Sequence, residues 1–239
     1  HELSGGAFDI TVAPLMRCWG FADGKHRVPS PKELAEAREC VGMDLVHLDA
    51  ENFTVQFERP GVRIDLGAIG KGFALQIAGE ILREAGITSA LIHGGTSTVC
   101  AIGTPPGEGF WKVAIEHPGW EQPGADILDH ERLVAVAKLH DESFSVSAGW
   151  GKAFEENGVS YGHVLDPRSG LPTHNALLAA VALAGGTVAD AWSTALLVLG
   201  GAGPASLGQA GESARSLLML PDGDSGFLLV NNGFESAES

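Results

Sequence analysis

Apolar side chains recur at helical spacing in two long segments of the chain. The first segment, residues 67–86, is apolar at positions 69, 73, 74, 77, 78, 81 and 82, and a glycine follows soon afterwards. The second segment, residues 185–200, reads GGTVADAWSTALLVLG. Recurrence every three or four residues predicts an α-helix over each segment, with glycine as the stop signal of the first.

Three shorter segments also carry helix signals. Residues 31–40 begin with Pro31 after Ser30, which are residue types favoured at the first helical position and at the N-cap. Residues 4–21 contain a glycine turn and then a short stretch with a proline near its start, and residues 203–212 are rich in glycine. We expect one short helix in each of these segments.

Alternating or continuous apolar runs predict strands between the helices. Short strands are expected within residues 45–67, separated by turns at D-A-E-N and R-P-G, and further strands at 89–95, 97–104, 111–118, 133–139, 143–148, 176–184, 216–221 and 226–231. Residues 119–132 are polar and are expected to form a loop. Because paired strands and helices come in blocks, and no linker is evident, the pattern favours a single α+β domain across residues 1–239 rather than a doubly wound α/β sheet.

Composition narrows the classes of partner. The chain has 239 residues, with 30 acidic against 15 basic side chains and a net charge of −15. Such an acidic surface repels phosphate backbones, so nucleic acid is excluded as an expected partner. No apolar run approaches the length of about 18 residues that a membrane span requires. Three widely spaced cysteines without a C-x-x-C pair indicate ordinary thiols.

The start of the last long helix carries two polar side chains one turn apart, Asp190 and Thr194. One interpretation is local: Thr187 caps the helix, Asp190 occupies the capping-box position, and Thr194 bonds back to the carbonyl of residue 190. The other is half of a Mg²⁺ site, since this cation prefers carboxylate, hydroxyl and carbonyl oxygens. The residues alone leave both interpretations open.

Two further segments carry candidate chemistry. The first, residues 162–173, reads GHVLDPRSGLPT, a turn in which His163 is either simply hydrogen-bonded or a group that transfers protons. The second, residues 64–72, reads IDLGAIGKG and opens a helix on glycines, where backbone N–H groups can face an anion. It matches neither a Walker A loop nor G-x-G-x-x-G, and Asp65 is equally consistent with a capping role.

A serine-hydrolase interpretation finds less support. HGGTST at 93–98 is similar to an oxyanion loop, but the stretch nearest to a nucleophile elbow is SVSAG, with Ser145 where a glycine should stand. The chain order of Ser147, His163 and Asp190 also differs from the Ser, acid, His order of that class.

Six blocks in series resemble the FAD:protein FMN transferase family, the ApbE-like proteins. They are GAFDITVAPLMRCWGF, IDLGAIGKGFA, ALIHGG, WKVAIEHP, YGHVLDPRSGLPT and VADAWSTALLVLG, which together span roughly residues 5–200. The resemblance implies an ApbE-like α+β fold with mostly antiparallel sheets and packed helices. It also implies Mg²⁺-dependent cleavage of FAD. In that reaction the FMN phosphoryl group passes to a Thr or Ser hydroxyl of a partner protein, and AMP is released.

The resemblance also implies roles for individual residues. The A-D-x-x-[ST]-T pattern assigns the cation to the Asp190 carboxylate, the Thr194 hydroxyl and the Ser193 carbonyl, and D-L-G-A adds the backbone of Ala68. The H-x-x-D-P pattern makes His163 catalytic together with Asp190. The residues implied around the flavin nucleotide are Lys71, Gly94, Gly95, Glu116, His163 and Asp166.

The chain departs from the family pattern in ways that suggest an alternative. Members carry a segment before the G-A-F-D block, whereas four residues precede Gly5 here, so we expect either a trimmed chain or a short variant with an altered flavin pocket. The family's T-S-G and G-G-D patterns read Ser147-Ala148-Gly149 and Gly94-Gly95-Thr96. The alternative is a non-catalytic FAD-binding or scaffold protein of the same fold. By resemblance, the expected location is the bacterial cell envelope or periplasm.

Overall fold

The computed structural model describes residues 1–117, 133–149, 152–211, 213–223 and 226–236. Within these ranges the α-helices are α1 (Ala13–Cys18), α2 (Pro31–Arg38), α3 (Gly70–Glu84), α4 (Gly186–Leu199) and α5 (Gly203–Leu207). The strands are β1 (Val46–Asp49), β2 (Thr54–Phe57), β3 (Ala90–His93), β4 (Thr98–Ile102), β5 (Trp111–Glu116), β6 (Leu133–Leu139), β7 (Ser143–Ala148), β8 (Ala153–Glu156), β9 (Val159–Gly162), β10 (Leu178–Leu183), β11 (Arg215–Asp222), β12 (Gly226–Asn232) and β13 (Glu235–Ser236). The loop expected at 119–132 lies outside the described residues.

The strands form antiparallel sheets, as the α+β prediction requires. A six-stranded sheet has the order β12-β11-β10-β7-β4-β3, and a three-stranded sheet has the order β13-β6-β5. Two separate hairpins pair β1 with β2 and β8 with β9. No described helix is both long and apolar enough to cross a membrane.

Strand β10 lies in the middle of the large sheet and is buried on both of its faces. Leu178, Ala180 and Ala182 belong to the core shared with the three-stranded sheet, whereas Ala179 and Val181 pack with helix α4 on the other side. Because successive side chains of a strand point to opposite faces, an uninterrupted apolar run is needed at this position. The layers are therefore small sheet, large sheet and helices.

Helix α3 contacts the rest of the molecule through small residues. Gly72, Leu75 and Gly79 are its buried positions, whereas Phe73 and Ile81 on the predicted apolar stripe remain more than half exposed, at 56% and 59%. Small side chains allow two helix backbones to approach closely, and α3 packs against α4 in this way. This contact positions the start of α4.

The two helix starts that the sequence singled out differ in how they are capped. Ser30 and Glu33 form a reciprocal capping box at α2, as its sequence predicts. At α4, however, the N-cap is Gly185, and the local cap expected from Thr187 and Asp190 is wrong. Oε1 of Gln76 in α3 instead accepts from both the backbone N–H and the hydroxyl of Thr187, at 3.2 and 2.9 Å. The cap therefore comes from another helix.

The hairpin β8–β9 was not among the strands expected from the sequence. Its turn is Asn157-Gly158, with φ of 54° and 77°, the pair of positive angles that tight hairpin turns require and that Asn-Gly tolerates. The opposite difference occurs at residues 62–65, where a third short strand was expected after R-P-G and none is formed.

The N-terminal helices hold the turn that follows β9. The indole N–H of Trp19 donates to the carbonyl of Gly170 at 2.8 Å, and Arg38 Nη2 donates to the carbonyl of Arg168 at 2.6 Å. Leu15, Trp19 and Leu165 are buried together beneath this turn. These contacts place His163, at the end of the hairpin, next to the main cavity.

Candidate functional site

A cavity of about 1080 Å³ lies where the helix starts meet the edges of the sheets. Its walls come from the N-terminal segment, the loop before α3, the β3–β4 turn, strands β5 and β7, the segment after β9, and the first turns of α4. Cavities of about 300–1,000 Å³ hold most small-molecule ligands, so this one suits a large ligand. It also contains most of the polar residues that the sequence singled out.

Asp190 is one of two buried acids that line this cavity, the other being Asp9. Asp190 is only 2% exposed, and its Oδ2 accepts from the backbone N–H of Gly72 at 2.9 Å. Its Oδ1 accepts from the hydroxyl of Ser145 at 3.0 Å, and Thr98 Oγ1 lies 3.4 Å away. The amine of Lys71 lies 3.7 Å from the same Oδ1. These donors satisfy the hydrogen-bonding needs of the buried carboxylate, and Lys71 places a positive charge beside it.

The hydrogen bond from Gly72 depends on its lack of a side chain. A Cβ at this position would meet the carbonyl oxygen of Gly186 at 2.2 Å and Cβ of Asp190 at 2.6 Å. Real Cβ atoms do not approach other heavy atoms so closely. The second glycine of G-K-G therefore brings α3 and α4 together at Asp190, which the sequence alone does not reveal.

Hydroxyl groups continue the polar wall from Asp190 to the cavity. Ser193 is fully buried and its hydroxyl donates to the backbone carbonyl of Asp190 at 2.8 Å. Ser147 Oγ lies 2.8 Å from Ser193 Oγ and 3.1 Å from Thr194 Oγ1. The back-bond to residue 190 expected of Thr194 is thus wrong, because Ser193 makes that bond and Thr194 pairs with β7.

His163 is half-buried and lines the cavity with Lys152. Its Nδ1 lies 3.1 Å from the carbonyl oxygen of Lys152, and since a carbonyl can only accept, Nδ1 carries the proton of this bond. Burial lowers the pKa of His163 below its ordinary value; the bond to the carbonyl opposes this shift, and the charge of Lys152 adds to it. A neutral ring with Nε2 free to accept a proton is the form favoured at neutral pH.

Asp166 has a local structural partner. Arg168 donates to its carboxylate through Nε and Nη2, both at 2.8 Å, and through its backbone N–H at 2.9 Å. Burial by itself would raise the pKa of Asp166, but the hydrogen bonds and charge of Arg168 outweigh it and leave the pKa below its ordinary value. The bonded pair stabilises the D-P-R-S-G turn.

The structure brings most of the sequence-predicted site residues to one cavity. Its lining includes Ala68, Lys71, Gly95, Glu116, His163, Asp190 and Thr194. Gly94, Ser193 and Asp166 lie outside the lining: Gly94 packs beneath the turn against Leu75, and the other two make the contacts described above. Their expected roles toward a flavin or a cation stay predictions.

Some cavity residues were missed as functional candidates or were given other roles. Lys152 and His93 line the cavity and were missed. Asp65, considered as a capping acid, also lines it, and its carboxylate accepts from the N–H of Gly67 at 2.7 Å. Ser147 was considered only as a hydrolase nucleophile, whereas its described hydrogen bonds go to Ser193 and Thr194. The alternation of serine in SFSVSA was the available signal, because it places Ser143, Ser145 and Ser147 on one face of β7.

The oxygen donors around Asp190 define the kind of cation that this site suits. One carboxylate and one hydroxyl face the same cavity as the backbone at Ala68, and hard cations such as Mg²⁺ favour oxygen donors of this kind. The described residues contain no group of three or more His, Cys, Asp and Glu side chains arranged for a metal. A cation here would therefore depend on hydroxyl and carbonyl oxygens, or on its ligand's own oxygens, beside a single carboxylate.

Fold and site together define an α+β protein with a large cavity built around a buried carboxylate. The chain belongs to the ApbE family, whose model matches residues 1–214. An FAD:protein FMN transferase of Haemophilus influenzae is 33% identical over 206 residues, covering 84% of this chain and 57% of that protein. Another from Treponema pallidum is 31% identical over 236 residues, covering 92% of this chain and 62% of that protein.

Solved structures show the same fold. The crystal structure of the ApbE protein of Thermotoga maritima matches with a TM-score of 0.80 at 31% identity, covering 97% of this chain and 71% of that one. The apo form of the Pseudomonas stutzeri flavinyl transferase ApbE matches with a TM-score of 0.80 at 28% identity, covering 97% and 68%. The chain spans 54–65% of the length of the curated relatives that it matches most strongly.

Proposed function

We propose that this protein transfers FMN from FAD to a threonine or serine hydroxyl of a partner protein and releases AMP. Relatives named FAD:protein FMN transferase support the reaction class. The observation that carries the proposal is the buried Asp190 carboxylate, held by Gly72 and Ser145 and open to a cavity that also contains His163. One large pocket thus contains both a carboxylate that can bind a cation, Asp190, and a side chain that can accept a proton, His163.

Mg²⁺ is part of the proposal. The Asp190 carboxylate and Thr194 hydroxyl would hold it, with the backbone carbonyls of Ala68 and Ser193 as further ligands. When bound, such a cation neutralises charge on the pyrophosphate oxygens. Lys71, whose amine lies 3.7 Å from Asp190 Oδ1, is placed to add a second positive charge beside the phosphates. Phosphoryl transfer depends mainly on this kind of positioning and charge neutralisation.

His163 acts in the proposal as the general base. Its Nδ1–H bond to the Lys152 carbonyl fixes the ring, and Nε2 accepts the proton of the incoming hydroxyl. The hydroxyl oxygen forms a bond to the FMN phosphorus while the bond from that phosphorus to the bridging oxygen breaks, and AMP leaves with that oxygen. The apolar walls from β5 and β7 suit the ring systems of FAD. We further propose the bacterial cell envelope as the setting.

The test is direct flavin transfer. The protein is incubated with FAD, Mg²⁺ and a small acceptor domain that carries a Ser-Gly-Ala-Thr segment, and the denatured acceptor is examined for flavin fluorescence in a gel. We expect fluorescence with Mg²⁺, none with EDTA, and release of one AMP per flavin attached. His163→Ala should slow transfer by a factor of about 10²–10⁴ while FAD still binds.

Binding measured separately distinguishes the alternative function. FAD that binds but is never transferred, in the presence of Mg²⁺ and acceptor, would favour a non-catalytic flavin-binding protein of the same fold. An absence of FAD binding would overturn both functions. Loss of FAD binding in His163→Ala would make His163 a binding residue instead of the base.

A further inference from the structure

Three hydroxyl side chains and one backbone carbonyl form a series of hydrogen bonds, all donated in the same direction, that runs from Thr194 to Asp190. Ser193 Oγ lies 2.8 Å from the backbone carbonyl of Asp190, Ser147 Oγ lies 2.8 Å from Ser193 Oγ, and Thr194 Oγ1 lies 3.1 Å from Ser147 Oγ. Ser193 is fully buried, Ser147 and Thr194 are half-buried, and the last two line the cavity. The series crosses from strand β7 to helix α4.

The direction of each bond follows from the number of protons available. A carbonyl oxygen only accepts, so the single hydroxyl proton of Ser193 is donated to Asp190. The Ser145 hydroxyl also lies near Ser193, but at 3.4 Å it is the weaker acceptor, and its own proton goes to the Asp190 carboxylate at 3.0 Å. Ser193 Oγ can then only accept from Ser147, and Ser147 Oγ can only accept from Thr194.

The consequence for Thr194 is a fixed orientation of its hydroxyl. Its proton points to Ser147, so the lone pairs of the oxygen remain available to a ligand in the cavity. A neutral hydroxyl that binds a cation through its oxygen keeps its proton. That proton needs an acceptor on the side of the hydroxyl that faces away from the metal. Groups that orient a ligand in this way strongly affect metal affinity.

We propose that Ser147 is a positioning residue that makes the Thr194 hydroxyl a cation ligand by accepting its proton. This inference rests on the proposed function, because it requires a divalent cation at Asp190 and Thr194. Ser147 does not touch the cation or the reacting phosphorus in this proposal. It acts through Thr194, and Ser193 fixes it in turn through the carbonyl of Asp190.

The experiment measures the affinity of the whole protein for Mn²⁺, used as a paramagnetic probe, in titrations with FAD present. We expect Ser147→Ala to weaken Mn²⁺ binding by about tenfold and to raise the Mg²⁺ concentration needed for half-maximal transfer by a similar factor. At saturating Mg²⁺ the transfer rate should return close to that of the unaltered protein. Ser147→Thr, which restores the hydroxyl, should recover the affinity.

A double-mutant cycle separates positioning from a general structural effect. If Ser147 acts only through Thr194, Ser147→Ala has no further effect on Mn²⁺ affinity in a Thr194→Ala background. Ser216→Ala provides the matched control, since Ser216 is 1% exposed, lies in β11, and its hydroxyl has no described partner. It should leave Mn²⁺ affinity unchanged.

The outcomes are separable. An unaltered protein that binds no Mn²⁺ would overturn both the cation site of the proposed function and this inference. Normal Mn²⁺ binding with no change in Ser147→Ala, or equal losses in the two backgrounds, would overturn the inference alone. Ser147→Ala must be folded for either conclusion, which its thermal unfolding checks. If it fails to fold, Ser147→Cys supplies the comparison, because it keeps the size of the side chain but replaces the hydroxyl with a weak acceptor.

Discussion

The backbone N–H of Gly72 donates to Oδ2 of Asp190 at 2.9 Å, across the contact between helices α3 and α4. The two residues are 118 positions apart in the chain. This bond orients the carboxylate so that its other oxygen, Oδ1, lies 3.7 Å from the Lys71 amine. Lys71 and Gly72, which are adjacent in the chain, thus lie beside Oδ1 and Oδ2 of the same carboxylate. The position of the proposed cation site therefore depends on how closely helices α3 and α4 approach each other.

Asp190→Asn should slow transfer by about 100-fold or more, with a modest loss of stability. The amide oxygen can still accept from Gly72, but the negative charge that a cation requires is gone. Substitution of a residue that only supports a metal ligand typically lowers metal affinity or activity by about 10–100-fold. Asp190 would bind the cation directly, so we expect the transfer rate to fall by an amount at the upper end of that range or beyond. In-gel flavin fluorescence and thermal unfolding, measured on the same sample, test this.

The alanine variant at the same position separates charge from folding. Asp190→Ala leaves the buried N–H of Gly72 without its acceptor, which costs about 1–3 kcal/mol of unfolding free energy. Full activity in either variant would exclude Asp190 as a cation ligand.

Gly72→Ala should separate helices α3 and α4. The added methyl group would meet the Gly186 carbonyl oxygen at 2.2 Å, so the helices must shift. We expect a loss of about 1–3 kcal/mol in unfolding free energy, typical of overpacking, and a strong loss of transfer. Urea unfolding monitored by tryptophan fluorescence gives the first quantity.

Gly70→Ala is the matched control for this variant. It makes the same change one residue before Lys71 in the first turn of α3, where a Cβ would meet no atom within 4 Å. Alanine there should keep or slightly raise stability, because it restricts the unfolded chain. Equal destabilisation by the two substitutions would contradict the close-approach explanation.

Periodicity predicted the elements well because it is a local signal. The apolar spacing of residues 67–86 and 185–200 gave α3 and α4, and the uninterrupted run around β10 gave a strand buried on both faces. The α+β class is confirmed, and so are the mostly antiparallel sheets that the family resemblance implied. The missed hairpin β8–β9 is also local, since Asn157-Gly158 is a strong turn signal that was overlooked.

The contacts within the site could not be predicted in the same way, because they join residues far apart in the chain. Gln76 caps α4 from 111 residues away, which no inspection of residues 185–190 can reveal. Likewise, the hydroxyl series places Ser147 of β7 beside Thr194 of α4. Residue types and motif order identified Asp190, Thr194 and His163 as candidates, but their partners depend on how the helices and sheets pack.

Gln76→Ala should destabilise the start of α4. It removes the oxygen that accepts from both the N–H and the hydroxyl of Thr187, and the loss of an N-cap interaction typically costs about 1 kcal/mol. Glu80→Ala is the control, since it removes only the exposed contact between Glu80 and the Gln76 amide at 3.2 Å and should be nearly neutral. Unfolding free energies from urea titration test both, and a neutral Gln76→Ala would show that this cap adds nothing.

The pH dependence of transfer should report the environment of His163. Burial holds its folded-state pKa below the ordinary value of about 6.5, so the neutral base persists below that pH and activity falls only as the pH drops through the lowered pKa. Below pH 6.5 the unfolded chain binds more protons than the folded one at this residue, so stability also decreases as the pH falls through this window.

Substitutions of Lys152 test the electrostatic part of this shift. Lys152→Gln removes the charge that helps to lower the pKa of His163, but it keeps the backbone carbonyl that accepts from Nδ1, so the acid limb of kcat/KM should move upward toward pH 6.5. Lys152→Arg keeps the charge and should leave the limb in place. Because burial is the larger cause, the limb should remain below pH 6.5 even in Lys152→Gln. A limb above pH 6.5 in the unaltered protein would contradict the lowered pKa of His163.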